Sequence, residues 1–572
     1  MKLIKERLQQ NWPWLFIIPL CIGYFLFSSS FNYLSQTKDF TKWMSPDETA
    51  NYTVAKLYAE TDNLAFFEKY NLIAKDIIHP RSFRSDYGLI KPVSFLGLPI
   101  LYGKLAKIFG VGILPYLTPI IGIFGLIFFY LFVKRIFGKD NALIATILAA
   151  AFPIFTYYSA RSMFHNVLFL AAFIAGLYFA SRMSERNQEE KGYFKKNGFA
   201  LIFSLCSGLF IGLAIAARSS ELLWVGPLMV FAWLCNIRKI GLVRLFFFAY
   251  GVFIIFLPML YWNGALYGSF FSSGYPELNN SLFSLQQGGA ELANTGIAGK
   301  FNELRPIVAK IKATIFHFGY KPEQSYKLFN AYITNMFPWL FWSAAAGLLV
   351  LITFFKKYSK EKWIFLIGWM SASVLLILYY GSWTFFDNPD PNSFTIGNSY
   401  TRYWLPIYFG ALPLASLALI TATQWIKNTK HAWAIRFVAL AMIVIISVQY
   451  VWNEPSEGLA VSIEKQAVAK TELSTLLSLT EDNSIIITRY HDKLLFPERK
   501  VVIGLFDDPN MIAEYANLAR RVPVYYYNFS FKQEDLDYLN NGSLARAGLS
   551  LSLIKPITDR FNLYKLESLT KQ

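Results

Sequence analysis

Two adjacent acids, Asp47 and Glu48, stand in the stretch Ser45-Pro46-Asp47-Glu48-Thr49-Ala50-Asn51-Tyr52, shortly after the first apolar run of the chain. Neighbouring acids in a loop are often no more than solvated charges. Here they open an apparent helix, continued by Tyr52, Ala55 and Leu57, and the first turn of a helix favours negative charge. Four isolated cations lie on segments that share their side. They are Lys91 in Leu89-Ile90-Lys91-Pro92-Val93, Arg161 in Ser159-Ala160-Arg161-Ser162, Arg218 in Ala216-Ala217-Arg218-Ser219, and Arg402 in Asn398-Ser399-Tyr400-Thr401-Arg402-Tyr403-Trp404. Glu221 follows closely on Arg218. A lone arginine at the edge of a span simply snorkels to the headgroups. Several on one face read differently, because ionisable groups near membrane depth mark substrate paths. Together they would form a cationic pocket for a phosphate, whose oxygens match the guanidinium fork. That is the charge pattern a lipid-linked phosphate needs.

The elements that must position these residues are membrane helices. The chain has 572 residues, 55% hydrophobic and 18% aromatic, with only 16% charged, against about 25% in soluble globular chains. Apolar runs are long enough to cross about 30 Å of hydrocarbon. They predict about eleven spans, at 12–31, 112–133, 141–159, 164–181, 198–217, 220–236, 243–262, 334–355, 362–380, 403–421 and 433–452. The first run, after MKLIKERLQQ, lacks a clear small-residue cleavage site and reads as a spanning helix rather than a cleaved signal.

Loop charges set the threading, since Lys and Arg concentrate in short cytoplasmic loops. With Lys2, Lys5 and Arg7 inside, alternation puts five basic loops inside too: Lys134 to Lys139, Arg182 to Lys196, Arg238 to Arg244, Lys356 to Lys362, and Lys427 to Arg436. The stretch 93–109 resembles another span but contains Pro99, Lys104 and Lys107. Counting it would reverse every later helix, so it is expected to lie in the outer interface. The outer side then receives a loop at 32–111, a loop at 263–333, a polar loop at 381–402 and a C-terminal region from Asn453.

That region, 453–572, reads as a small α/β domain beside a membrane domain at 1–452. A helix is predicted at 457–479 and strands at 484–489, 501–504 and 523–529. It carries no phosphate loop, metal-ligand spacing or nucleophile elbow. The net charge of +17 does not signal nucleic acid, because no basic stripe with interleaved aromatics is present. Cys21, Cys206 and Cys235 lie in apolar stretches and read as buried small hydrophobes.

The order of motifs resembles the GT-C glycosyltransferases of the protein-mannosyltransferase and aminoarabinose-transferase type. Pro46-Asp47-Glu48-Thr49 is similar to that group's first-loop motif, Leu131-Phe132-Val133-Lys134-Arg135-Ile136-Phe137-Gly138 to its first cytoplasmic loop, and Arg402-Tyr403-Trp404-Leu405-Pro406 to its late Arg-Tyr motif. The resemblance covers 10–240 well and 330–450 loosely. It implies a GT-C-like α-helical membrane fold and a transferase using a polyprenyl-phosphate-linked sugar. The acceptor would be a lipid, glycan or protein on the extracytoplasmic side of the cell membrane. Asp47 would deprotonate the acceptor hydroxyl, with Glu48 assisting or orienting it. Lys91, Arg218 and Arg402 would hold the donor phosphate. One carboxylate and a phosphate leaving group suffice for a single inverting displacement.

The sequence departs from that pattern in places. The family's Lys-Pro-Pro is Lys91-Pro92-Val93, and the acid often found before the lysine is Ile90. A further family acid follows an arginine on a later helix, but Arg161 is followed here by His165 and Asn166. His165 would do polar or acid–base work there, or cap the helix, or face the headgroups. Arg161, His165, Asn166, Tyr52 and Tyr403 complete the candidate site. No cofactor is assigned by these residues; a divalent metal is the one candidate, with its ligands unassigned. The other class considered is a transporter or flippase of lipid-linked saccharides. Transporters show internal repeats and charges near the midplane, and this chain shows no repeat.

Overall fold

The computed structural model of the protein describes residues 12–185, 193–275, 316, 319–354, 356, 359–387, 390 and 393–569. The middle of the 263–333 loop, 276–315, lies outside the described residues, as do Lys2, Lys5, Arg7, Arg186, Lys191 and Lys357. Lipid offers the backbone no hydrogen bonds, so each apolar run satisfies its own as a helix. Among the described residues eight helices are long and apolar enough to cross a membrane, starting with Trp14–Ser35 and ending with Thr429–Asn453. Two bent pairs raise the number to ten: Lys139–Ala151 with Pro153–Arg161, bent by 51°, and Pro322–Asn335 with Pro338–Thr353, bent by 94°. Pro153 and Pro338 each open the second member of a pair, where a proline starts a helix but cannot continue the one before. The run expected as a span at 220–236 is the shorter apolar helix Ser219–Cys235. One short helix and two bends thus separate the observed eight to ten spans from the expected eleven.

Small residues set the closest helix approach. A Cβ on Gly208 would fall 2.0 Å from the Phe248 carbonyl oxygen, and one on Gly251 2.5 Å from that of Leu205. Helices Tyr193–Ala217 and Ile237–Tyr267 therefore touch backbone to backbone, as small residues permit in membranes. At one end of the bundle the basic loops are stitched together. Arg135 pairs with Glu185 at 2.8 Å, Arg244 donates to the Met183 carbonyl at 2.6 Å, and Lys360 donates to the Cys235 carbonyl at 2.5 Å.

The opposite end carries everything else. The stretch 93–109 forms the 13-residue helix Gly97–Phe109, too short to span. It packs on helix Pro46–Thr61, where Gly103 meets the Ala55 carbonyl. Its start meets the Ala216 backbone, 2.3 Å from where a Gly97 Cβ would sit. Nearby, strands β1 (Phe66–Phe67), β2 (Phe83–Asp86) and β3 (Leu89–Pro92) form a small antiparallel sheet in the order β1-β3-β2.

The C-terminal region begins with helix Leu459–Leu479, followed by β4 (Ile485–Thr488), β5 (Lys500–Ile503) and β6 (Val524–Phe529) close to where strands were expected. Two further strands, β7 (Leu549–Pro556) and β8 (Phe561–Ser568), complete a sheet in the order β5-β4-β6-β8-β7. β4 runs parallel to β5 and β6, and β8 antiparallel to β6 and β7. This sheet shares its core with the first outer loop. Ala74 and Ile78 pack among Ile485, Val502 and Val524, and Phe83 lies 5.5 Å from Phe496, ring centre to ring centre.

Candidate active site

Ser45 caps helix Pro46–Thr61. Its hydroxyl accepts from the Asp47 N–H at 3.2 Å, while the Glu48 carboxylate accepts from the Ser45 N–H at 2.8 Å. This reciprocal box, with Pro46 at the first helical position, fixes how the chain enters the helix. It also separates the two acids. Glu48 is fully buried and meets Arg161 through two bonds, Nε at 3.0 Å and Nη2 at 2.6 Å. Arg161 turns its third nitrogen to the Tyr157 hydroxyl at 2.8 Å. Burial opposes both charges, and the bidentate pair offsets it only in part at Glu48, whose carboxyl stays above its usual range. Asp47 remains partly open. Its Oδ1 accepts from the Ser82 hydroxyl at 2.8 Å, and its Oδ2 stands 3.6 Å from Arg402 Nη2.

Arg402 and Arg218 approach the same ring. Arg402 lies 5.2 Å from the Tyr403 ring centre and 4.5 Å from that of Phe164; Arg218 lies 4.5 Å from Tyr403. Tyr403 in turn stacks on Tyr380 at 4.6 Å. Aromatic faces hold guanidiniums without quenching their charge. The two arginines differ in what balances them. Arg218 donates to Glu221 at 2.9 Å and to the Tyr380 hydroxyl at 3.1 Å, and Glu221 also takes Trp224 Nε1 at 2.5 Å. Arg402 donates to the Ser399 hydroxyl at 2.9 Å, but its Nε is buried without a hydrogen-bond partner. A buried, unused guanidinium donor is costly, and this one is left open to a further acceptor.

His165 and Asn166 open helix His165–Arg182 and are both buried. His165 does not face the headgroups. Its Nε2 lies 3.1 Å from the Phe95 carbonyl, and its Nδ1 3.4 Å from the Asn51 amide. Asn166 donates to the Arg402 carbonyl at 3.1 Å and so helps place that arginine. The turn before them is strained, with Ser162 and Met163 at φ 61° and 53°. Ser82, the partner of Asp47, also has positive φ, at 62°. Such conformations cost about 1–3 kcal/mol each and persist where surroundings impose them. Here Ser162 bonds Thr118 at 3.0 Å, and Asn51 bonds the Met163 carbonyl at 2.7 Å.

Lys91 and Tyr52 are not brought into this group. Lys91 is buried, bonded to Asp86 and to the Leu266 carbonyl, both at 2.5 Å. Asp86 supplies from β2 the carboxylate that Ile90 does not. Burial pushes Asp86 up, but hydrogen bonds from Lys91 and Arg84 outweigh it and hold the carboxyl below its usual range. Tyr52 packs its ring against Trp43 at 5.5 Å. Two residues without a sequence signal do belong to the site. One is Ser82. The other is Tyr275, whose ring lies 5.4 Å from Phe95; burial first, then the charge of Asp47, raises its hydroxyl above the ordinary phenol range. Among the described residues no three His, Cys, Asp or Glu side chains converge. Arg161 and Ser45 occupy Glu48, and Asp47 faces Arg402.

Residues 99–262 match the model of the dolichyl-phosphate-mannose-protein mannosyltransferase family. No curated protein matches the sequence. Among solved structures, the chain is similar to the oligosaccharyltransferase AglB of Archaeoglobus fulgidus in complex with an inhibitory peptide and a dolichol-phosphate. The TM-score is 0.56 at 12% identity, covering 97% of this chain and 74% of that one. It is also similar to ArnT from Cupriavidus metallidurans bound to undecaprenyl phosphate, with a TM-score of 0.50 at 12% identity, covering 97% and 98%. The protein is a multi-pass membrane protein with the GT-C fold that the sequence predicts.

Proposed function

We propose that the protein is a membrane glycosyltransferase that moves a sugar from a polyprenyl-phosphate donor to an acceptor hydroxyl on the extracytoplasmic side. The observation that carries this reading is the partly open Asp47 carboxylate, 3.6 Å from an arginine with an unused buried donor. Base and anion site stand side by side, as transfer away from a phosphate requires. The similarity of residues 99–262 to the mannosyltransferase family and of the fold to proteins holding dolichol-phosphate or undecaprenyl phosphate supports the donor class. The basic loops at the opposite end support the side, because short basic loops stay cytoplasmic.

In this mechanism Asp47 takes the proton of the acceptor hydroxyl. The acceptor oxygen attacks the anomeric carbon as the bond from that carbon to the phosphate oxygen breaks, inverting the centre. The electron pair leaves with the polyprenyl phosphate, whose added charge Arg402 and Arg218 stabilise. Glu48 acts through Arg161 and the helix cap, not on substrate. Asn166 and Tyr403 place the arginines, and His165 holds the Phe95 carbonyl beside them. Lys91 is already paired with Asp86 and bonded to the Leu266 carbonyl, so its contribution to donor binding is smaller than that of Arg402. No step is routed through a metal. Comparing envelope glycans and lipids of a deletion strain and its complemented parent by mass spectrometry identifies the product. A modification that disappears on deletion and returns with the wild type, but not with Asp47→Asn, is the expected result. Unchanged glycans and lipids would remove the transferase reading.

A further inference from the structure

The stretch from Tyr490 to Glu498 in the C-terminal region grips both segments that carry the Asp47 arrangement. Asp492 is fully buried and accepts three bonds from Arg81: from the main-chain N–H at 2.9 Å, from Nε at 3.0 Å and from Nη2 at 2.5 Å. Arg81 also reaches the Tyr490 carbonyl at 3.2 Å. Arg81 directly precedes Ser82, whose hydroxyl holds Asp47. The next residue, Lys493, donates to the Met44 carbonyl at 2.5 Å, just before Ser45 caps the Asp47 helix. Lys42 closes the set, donating to the Phe496 carbonyl at 2.7 Å and pairing with Glu498.

One turn therefore fixes the chain at 42–44 and again at 81. Those points lie just before Asp47 and just before Ser82. The positive φ of Ser82 needs such outside restraint, since an unrestrained serine relaxes to negative φ. The Val93 N–H, bonded to the Ser82 carbonyl at 3.0 Å, supplies the other side of the grip. Burial and the charge of Arg81 pull Lys493 down to about 8. None of these groups takes part in the transfer written above.

We propose that Asp492 and Lys493 are positioning residues of the C-terminal region, which set the spacing of Ser82 and Asp47 and thereby aim the Asp47 carboxylate at the acceptor. The proposal rests on the reading of Asp47 as base. It gives the C-terminal sheet a place in the reaction without a catalytic group of its own.

The test uses full-length protein in nanodiscs. The donor is the polyprenyl-phosphate-sugar fraction extracted from host membranes, and the acceptor is a membrane extract of the deletion strain. Asp492→Asn, Arg81→Gln and Lys493→Met each lower kcat, on the order of tenfold to a hundredfold for a misplacement of about an ångström, and leave the donor KM unchanged. The double variant Asp492→Asn with Arg81→Gln is no slower than the worse single one, as expected of one shared contact. Lys493→Arg restores most of the rate lost in Lys493→Met. Where Asp492→Asn does not fold, the Lys493 pair carries the test. Additive losses, a change in KM alone, or wild-type kcat in Lys493→Met overturn the proposal. Asp47→Asn is run in parallel. An active Asp47→Asn sinks the base assignment itself, whereas an inactive one beside a fully active Lys493→Met sinks only the positioning role.

Discussion

At the scale of single residues, the two acids that look alike in sequence separate completely in space. Asp47 is partly open and faces Arg402, whereas Glu48 is sealed against Arg161. Their variants should differ in kind. Asp47→Asn should cost about 10²–10⁴-fold in turnover with normal thermal stability, read as product formed per mole of folded protein. Glu48→Gln should instead destabilise by about 3–5 kcal/mol, because it strands a buried guanidinium; a fall in Tm with turnover per folded molecule largely retained would show it. Arg402→Lys should fail to rescue Arg402→Met, since an ammonium cannot reproduce the planar fork held against Phe164 and Tyr403. A lysine variant with wild-type donor KM would argue against phosphate contact. The sequence makes the residue types legible but not their pairing. Nothing in Asp47-Glu48 tells which acid meets Arg161, because that depends on a helix entry angle set by Ser45. Ser82 and Tyr275 carry no sequence signal, since a serine or tyrosine in a polar loop is ordinary.

At the scale of elements, the site hangs on close backbone approaches and on bends. Helix Gly97–Phe109 abuts helix Tyr193–Ala217 where Gly97 meets the backbone of Ala216, two residues before Arg218. Gly97→Ala should push the two apart, costing about 1–3 kcal/mol of overpacking, and should raise the donor KM by displacing Arg218. A variant with unchanged Tm and KM would show that the contact yields freely. Apolar runs and loop charges make the spans legible, because hydropathy follows directly from the lipid's lack of hydrogen-bond partners. The bends are less legible. Pro153 stands inside the run expected at 141–159, and only packing decides whether a proline kinks a span or divides it. β7 and β8 lie beyond the three expected strands: Leu549-Ser550-Leu551-Ser552-Leu553 does carry the period-two alternation of a strand, whereas FNLYKLES breaks it at Leu563-Tyr564.

At the scale of the whole molecule, one end holds the basic loops and the other holds the site, the first outer loop and the C-terminal sheet. With Cys21, Cys206 and Cys235 replaced, single cysteines at Lys38 and Glu534 should react with an impermeant maleimide in intact cells. Cysteines at Lys360 and Lys430 should react only after lysis. The reverse pattern would invert the orientation and place the transfer in the cytoplasm. The C-terminal region announces itself in sequence as a separate composition, but its partnership with the first outer loop does not show there. Ion pairs such as Arg81 with Asp492 join residues 411 positions apart, and no local pattern records them. That separation has a consequence for biogenesis. The ribosome makes the Asp47 loop first, and the turn that fixes it and the strands that complete its core only afterwards. A nascent chain would thus carry Asp47, Arg218 and Arg402 before the turn at Asp492 and Lys493 exists, so the spacing of Ser82 and Asp47 would be set only once that turn has reached the side of the membrane on which the Asp47 loop lies.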